Sequence, residues 1–171
     1  MIIFMIIIMS VPAIHHRPAH LARRYNQACQ AHIGAALAGR DLANIEYAAL
    51  ATLAEEPGID QRRLAEALGI DRNSAGQVAE ALARRGLIRR EVDPADRRAR
   101  HLVITEEGRA LRDIVRPAML AANARALEPL DDAERDTFLR LLIRLVDHHE
   151  AVAQPGAGRR PRSPARTGEA A

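Results

Sequence analysis

The sequence predicts a mainly α chain carrying one small β-hairpin, on three observations. Apolar residues recur every three or four positions through most of residues 21–150, the period of amphipathic helices. Pro57-Gly58, Gly69 and Gly86 interrupt that pattern where helices should stop. Only residues 87–92 and 100–104 leave the helical period, the second alternating Arg100, Leu102 and Ile104 against His101 and Val103.

Residues 1–9, Met-Ile-Ile-Phe-Met-Ile-Ile-Ile-Met, form an apolar run far short of the roughly 20 residues that a membrane-spanning helix needs. No arginine precedes Arg17, whereas an export signal opens on charge. Residues 1–17 therefore read as an apolar lead with no membrane role. Either the start is assigned too early, with Met9 the true one, or the lead can pair as a β edge. A first helix carries Leu21, Tyr25, Cys29, Ile33 and Leu37 at four-residue spacing. A second, over residues 44–55, presents Tyr47, Leu50, Leu53 and Ala54. Asp60 caps a short third helix with Leu64 and Leu68 on its buried stripe, and Gly69 takes the left-handed turn that ends it. Asp71 caps a fourth, in which Ala75, Val78, Ala79 and Leu82 face inward while Asn73, Gln77, Glu80 and Arg84 face out. The hairpin of residues 87–92 and 100–104 turns through Asp93-Pro94. Thr105, followed by Glu106 and Glu107, caps a long fifth helix that Pro117 should kink. Asp131 and Glu134 start a sixth, striped by Phe138, Leu141, Leu142, Leu145 and Val146. A stripe so uniformly aliphatic on a terminal helix needs a partner surface, so the first, fifth and sixth helices are expected to pack against their copies in a second chain. Residues 155–171, rich in Pro, Gly and Arg without periodicity, read as a disordered basic tail. The domain thus spans 18–154, with a lobe at 44–104 between association helices at 18–40 and 105–150.

Composition removes several function classes. One cysteine excludes a disulfide framework and a cysteine zinc cluster, and places the chain in a reducing compartment, the cytoplasm. All 25 basic residues are Arg, so Schiff-base chemistry and a phosphate-loop lysine are impossible. The three serines, Ser10, Ser74 and Ser163, lie in no Gly-x-Ser-x-Gly turn. Aromatic residues at 2% cannot build a base-stacking RNA platform. The net charge of +3 is unevenly spread: residues 60–104 carry ten arginines against seven acids, and residues 105–150 carry seven against ten. A positive middle suits a large anion, and nucleic acid is the commonest.

The third and fourth helices, joined by about three residues, have the layout of a helix-turn-helix. Arg72, Asn73, Ser74 and Gln77 open the outward face of the fourth with groups that base edges and phosphates accept. The hairpin behind it ends in Asp96, Arg97 and Arg98, with Arg100 nearby. An arginine-tipped hairpin following a helix-turn-helix is a wing. Its arginines suit the narrow minor groove, and Asp96 can orient a guanidinium. The expected fold is a winged helix-turn-helix with flanking dimerisation helices. Its candidate DNA-binding set is Arg62, Arg72, Asn73, Ser74, Gln77, Arg84, Asp96, Arg97, Arg98 and Arg100.

The strings Asp60-Gln-Arg-Arg-Leu-Ala-Glu-Ala-Leu-Gly-Ile-Asp-Arg-Asn-Ser, Leu82-Ala-Arg-Arg-Gly-Leu-Ile-Arg-Arg, Asp93-Pro-Ala-Asp-Arg-Arg-Ala-Arg and Leu102-Val-Ile-Thr-Glu-Glu-Gly108 resemble the MarR family of bacterial transcription regulators. The resemblance covers roughly residues 21–150; Asp-Arg-Arg in the wing and the Thr-Glu-Glu-Gly helix start are its most specific parts. It implies a homodimeric repressor on a pseudo-palindromic operator near its own promoter. Arg72, Asn73, Ser74 and Gln77 would then read the major groove, while Arg98, oriented by Asp96, enters the minor groove. Where the family often opens its second helix with Thr-Pro, this chain has Ala43-Asn44, a weaker or shifted cap. The resemblance also implies release by a small aromatic acid between the dimer helices and the lobe, or by oxidation of a first-helix cysteine. Cys29 stands there, at a core-like spacing with Tyr25 and Ile33. His32 and Tyr47 can line an effector pocket or simply pack, and with four aromatic residues in the chain such a pocket is small or aliphatic-walled. His16 and His20 stand four apart beside His15, with His148 and His149 near the other end, but no third ligand keeps a fixed offset. Neither a metal nor a cofactor is expected. The reading is a cytoplasmic, non-catalytic, effector-released repressor. Its alternatives are a sequence-independent architectural DNA-binding protein and a redox-sensing regulator acting through Cys29.

Overall fold

A computed structural model describes residues 16–92 and 100–152. The chain runs α1 (Pro18–Leu37), α2 (Asn44–Glu55), α3 (Gln61–Leu68), α4 (Arg72–Arg84), β1 (Ile88–Val92), β2 (Arg100–Ile104), α5 (Glu106–Ala126) and α6 (Asp132–His149). The apolar lead through His15, the wing-tip residues Asp96, Arg97 and Arg98, and the basic tail lie outside the described residues. No described helix is long and apolar enough to cross a membrane.

Local chemistry explains the boundaries. α1 opens on Pro18, whose fixed φ suits a first helical position and whose missing N–H has no intrahelical acceptor there anyway. The weak start of α2 is real: Ala43 offers no side-chain acceptor, and Glu46 compensates by accepting the Ala43 N–H at 2.9 Å. Asp60, Asp71, Thr105 and Asp131 each accept the backbone N–H three residues on, at 2.8–3.1 Å. α3 ends with Gly69 at φ +62°, where the Ile70 N–H reaches back to the Ala65 carbonyl; α4 ends with Gly86 at φ +70°, where the Leu87 N–H reaches Leu82. Both are Schellman closures. The second explains why β1 begins one residue later than the apolar pattern suggests, since Leu87 is still tied to the helix. α5 runs unbroken through Pro117, so the expected kink does not interrupt the helix, although Pro117 withholds one donor from the ladder.

β1 and β2 pair antiparallel with Ile88 opposite Ile104 and Val92 opposite Arg100. β2 has a second neighbour that the sequence did not announce: the Leu102 N–H donates to the Ile59 carbonyl at 2.9 Å and the Gly58 N–H to the Leu102 carbonyl at 3.2 Å. The core joins Leu37, Leu50, Leu53, Leu64, Leu82, Ile88, Leu102 and Val115, so every described element except α6 contributes to the cluster. Fully burying each large aliphatic side chain stabilises the fold by about 1.5–3 kcal/mol. The fourth helix keeps its expected inward stripe: Ala75, Ala79 and Leu82 are buried and Val78 is half-buried.

Candidate nucleic-acid interface

Helix α4 is fixed at its N-terminus by two short-range devices. Asp71 accepts the Ser74 N–H at 2.9 Å through Oδ1 and the Ser74 hydroxyl at 2.7 Å through Oδ2. The Ser74 hydroxyl, then the Ser74 N–H, hold the Asp71 carboxyl below its ordinary value of 3.8. Gln61, the first residue of α3, donates through Nε2 to the Arg72 carbonyl at 2.9 Å and so ties the two helices of the helix-turn-helix together. Gly76 makes room for it, because a Cβ there would stand 2.6 Å from Gln61 Nε2. Neither Gln61 nor Gly76 was singled out from sequence, though a glycine inside a helix, which costs about 0.5–1 kcal/mol relative to Ala, signals a close approach of this kind.

On this frame Arg72, Asn73, Gln77 and Arg84 stand exposed along one edge of α4, and no hydrogen bond or ion pair engages their side chains among the described residues. Ser74 is half-buried and its hydroxyl proton is committed to Asp71, which leaves oxygen lone pairs for any outside donor. Arg62, on α3, pairs with Glu66 at 3.0 Å, both side chains more than half exposed. Such a surface pair is worth only about 0.3–0.5 kcal/mol and yields readily to a phosphate. Arg100 lies in β2 at the stem of the wing, opposite Val92. Arg90, exposed on β1, adds a wing-stem cation that the strand pattern alone gave no reason to select.

Two further clusters contain the candidate effector residues. On α1, Cys29 and His32 are half-buried. Burial, then the adjacent Cys29 thiol, pushes the Tyr25 phenol above its usual range, and the Tyr25 ring meets Phe138 of α6 edge-on at 5.4 Å. Tyr47, on α2, packs against the core; burial raises its phenol, while the charges of Arg112 and Arg116 on α5 oppose that rise. No hydrogen bond or ring contact joins Tyr47 to Cys29 or His32 among the described residues. Nor does any group of three or more His, Cys, Asp or Glu there assemble a metal site.

Comparison with known proteins identifies the arrangement. The family model described as MarR family matches residues 40–99. Transcriptional regulator HosA of Escherichia coli O111:H- is 31% identical over 107 residues, which is 63% of this chain and 79% of that protein. The chain belongs to the MarR family of transcription regulators. Solved MarR-like structures agree in fold. Bordetella bronchiseptica BpsR, described in terms of regulation of its DNA binding by 6-hydroxynicotinic acid, superposes with a TM-score of 0.74 at 27% identity, covering 77% of this chain and 94% of that one. The PcaV transcriptional regulator of Streptomyces coelicolor, in complex with its natural ligand, gives 0.72 at 33% identity, covering 81% and 97%. Among the described residues, Arg62, Arg72, Asn73, Ser74, Gln77 and Arg84 lie on the two helices of the helix-turn-helix and Arg100 on the β2 strand.

Proposed function

We propose that this MarR-family regulator is a cytoplasmic homodimeric repressor that reads a pseudo-palindromic operator and releases it when a small aromatic acid binds. The carrying observation is the edge of α4, where Arg72, Asn73 and Gln77 project without side-chain partners among the described residues, in a chain whose next element is an arginine-rich hairpin. Guanidinium and amide groups held on a rigid helix match guanine and adenine edges in the major groove. Arg98, preceded by Asp96, is assigned to the minor groove and Arg62, Arg84, Arg97 and Arg100 to phosphates, so that each half-site is gripped in two adjacent grooves. Dimerisation is supported by α6, whose stripe residues Leu141, Leu142, Leu145 and Val146 are 40–59% exposed in the single chain. A row of that size is unusual on a water-facing helix. The effector assignment draws on the likeness to BpsR and on Tyr47, whose phenol shares its surroundings with the Arg112 and Arg116 guanidiniums.

Two measurements test this. Arg98→Ala in a folded protein is expected to remove most affinity for duplexes from the region upstream of the coding sequence; unchanged affinity contradicts the wing assignment. Benzoate- and nicotinate-type acids are expected to displace that duplex, with Tyr47→Phe shifting the concentration required. Displacement by none of them overturns the effector class while leaving the DNA reading intact.

A further inference from the structure

We infer that Arg85 is a positioning residue for operator recognition, a strut that fixes the C-terminal end of the reading helix to the segment joining α1 to the lobe. This rests on the DNA-reading role proposed for α4. Arg85 is the residue that closes α4, just before Gly86 turns the chain away. Its guanidinium points back across the lobe rather than outward. Nη1 donates to Glu46 Oε2 at 3.1 Å, and Nη2 donates to the Asp41 carbonyl and lies 3.7 Å from the Asp41 carboxylate. Asp41 belongs to residues 38–43, the link between α1 and α2, and Glu46 lies in the first turn of α2.

The same oxygen, Glu46 Oε2, also accepts the Ala43 N–H at 2.9 Å. One carboxylate atom therefore starts α2, which has no side-chain cap of its own, and anchors the end of α4. The Glu46 side chain is 15% exposed and that of Arg85 30%, so the pair is shielded far better than the Arg62–Glu66 pair on α3. A planar fork can satisfy a carboxylate and a carbonyl in different directions at once, whereas an ammonium is a single point charge. The N-terminal end of α4 is already held by Gln61 and Asp71. Core packing of Ala75, Ala79 and Leu82 seats α4 in the lobe, and Arg85 adds a directional polar tie at the end opposite Gln61 and Asp71, which limits the small tilts that apolar packing alone resists weakly. Because α1 packs along α5 while only one edge of α4 is exposed, the tilt of α4 decides how that edge is presented relative to α1. Specific readout is sensitive to such a tilt; phosphate attraction is not.

The test uses the full chain. Spin labels at Gln30→Cys on α1 and Glu80→Cys on α4, in a Cys29→Ser background, report the α1–α4 distance by pulsed EPR. Excess unlabelled chain leaves at most one labelled copy in any dimer. Arg85→Gln is expected to broaden or shift that distance. In unlabelled protein it is expected to weaken binding to an upstream-region duplex about tenfold, while changing affinity for a random-sequence duplex of equal length by less than about twofold. Arg85→Lys is expected to fall between the wild type and Arg85→Gln. An unchanged distance distribution overturns the inference, as does an equal loss on both duplexes, which would make Arg85 a phosphate contact. If Arg85→Gln fails to fold by circular dichroism, Glu46→Gln, which keeps an amide oxygen for the Ala43 N–H, must reproduce the distance change, and its failure to do so is equally fatal. Absence of any duplex preference in the wild type would defeat the DNA reading alone, since the distance still decides the role of Arg85.

Discussion

Asn73 and Gln77 are separated by four positions on α4, so both side chains project from one edge of the helix, and neither has a partner among the described residues. Replacing either by Ala is expected to cost about 1–3 kcal/mol on the preferred duplex and to relax the base preference at one position; titration by fluorescence anisotropy against single-substitution duplexes measures both. A uniform loss across sequences would move these residues to phosphate contact. Gly108 is a different kind of residue-scale constraint. A Cβ there would lie 2.1 Å from the Leu87 carbonyl oxygen, which belongs to backbone that also accepts the Thr105 N–H at 3.1 Å. Gly108→Ala is therefore expected to destabilise the fold by about 3 kcal/mol, the upper end of ordinary overpacking, in denaturant unfolding at fixed chain concentration. The Thr-Glu-Glu-Gly string thus has a physical meaning: Thr105 caps α5 and bonds the Gly86 carbonyl at 2.7 Å, and the glycine lets the helix sit against the start of β1.

At the scale of elements, the helices were legible because caps, glycine closures and apolar period agreed at the same positions. Asp60 with Gly69 and Asp71 with Gly86 bracket α3 and α4 as the sequence suggests. The backbone pairing of residues 58–59 with β2 was not legible, since two residues are too few to show a period. Gln61 and Arg85 were missed for a related reason: their partners, the Arg72 carbonyl and the Asp41–Glu46 pair, lie 11 and about 40 residues away, and side-chain spacing says nothing of such ties. The cap of α4 makes a pH prediction. Because the Asp71 carboxyl is held below 3.8 in the folded chain, the stability it adds is fully present above that value and is lost as pH falls through the lower, folded one. Thermal melts of wild type and Asp71→Asn are expected to differ in slope only in this acidic window. Parallel curves there would mean that the charge contributes nothing to the cap.

For the whole molecule, the question is why α6 buries no residue within its own chain while Leu141, Leu142, Leu145 and Val146 occupy one stripe. The stripe was readable from sequence; the face it covers is not, because a single chain carries no record of its copy. If a second chain covers it, Leu142→Glu with Leu145→Glu is expected to yield monomers by light scattering and to weaken operator binding, since each protomer then grips only one half-site. Dimers of unchanged stability would place the association surface elsewhere. In the proposed function, regulation by this chain requires sequence-selective engagement of duplex DNA by the α4 edge and the wing. The most direct measurement compares the full chain on duplexes from its own upstream region with scrambled duplexes of the same composition, without effector and across a salt series. The expected result is a preference of at least about a thousandfold for one upstream fragment, with affinity falling steeply as salt rises. Equal affinity for native and scrambled duplexes at every salt concentration would contradict it.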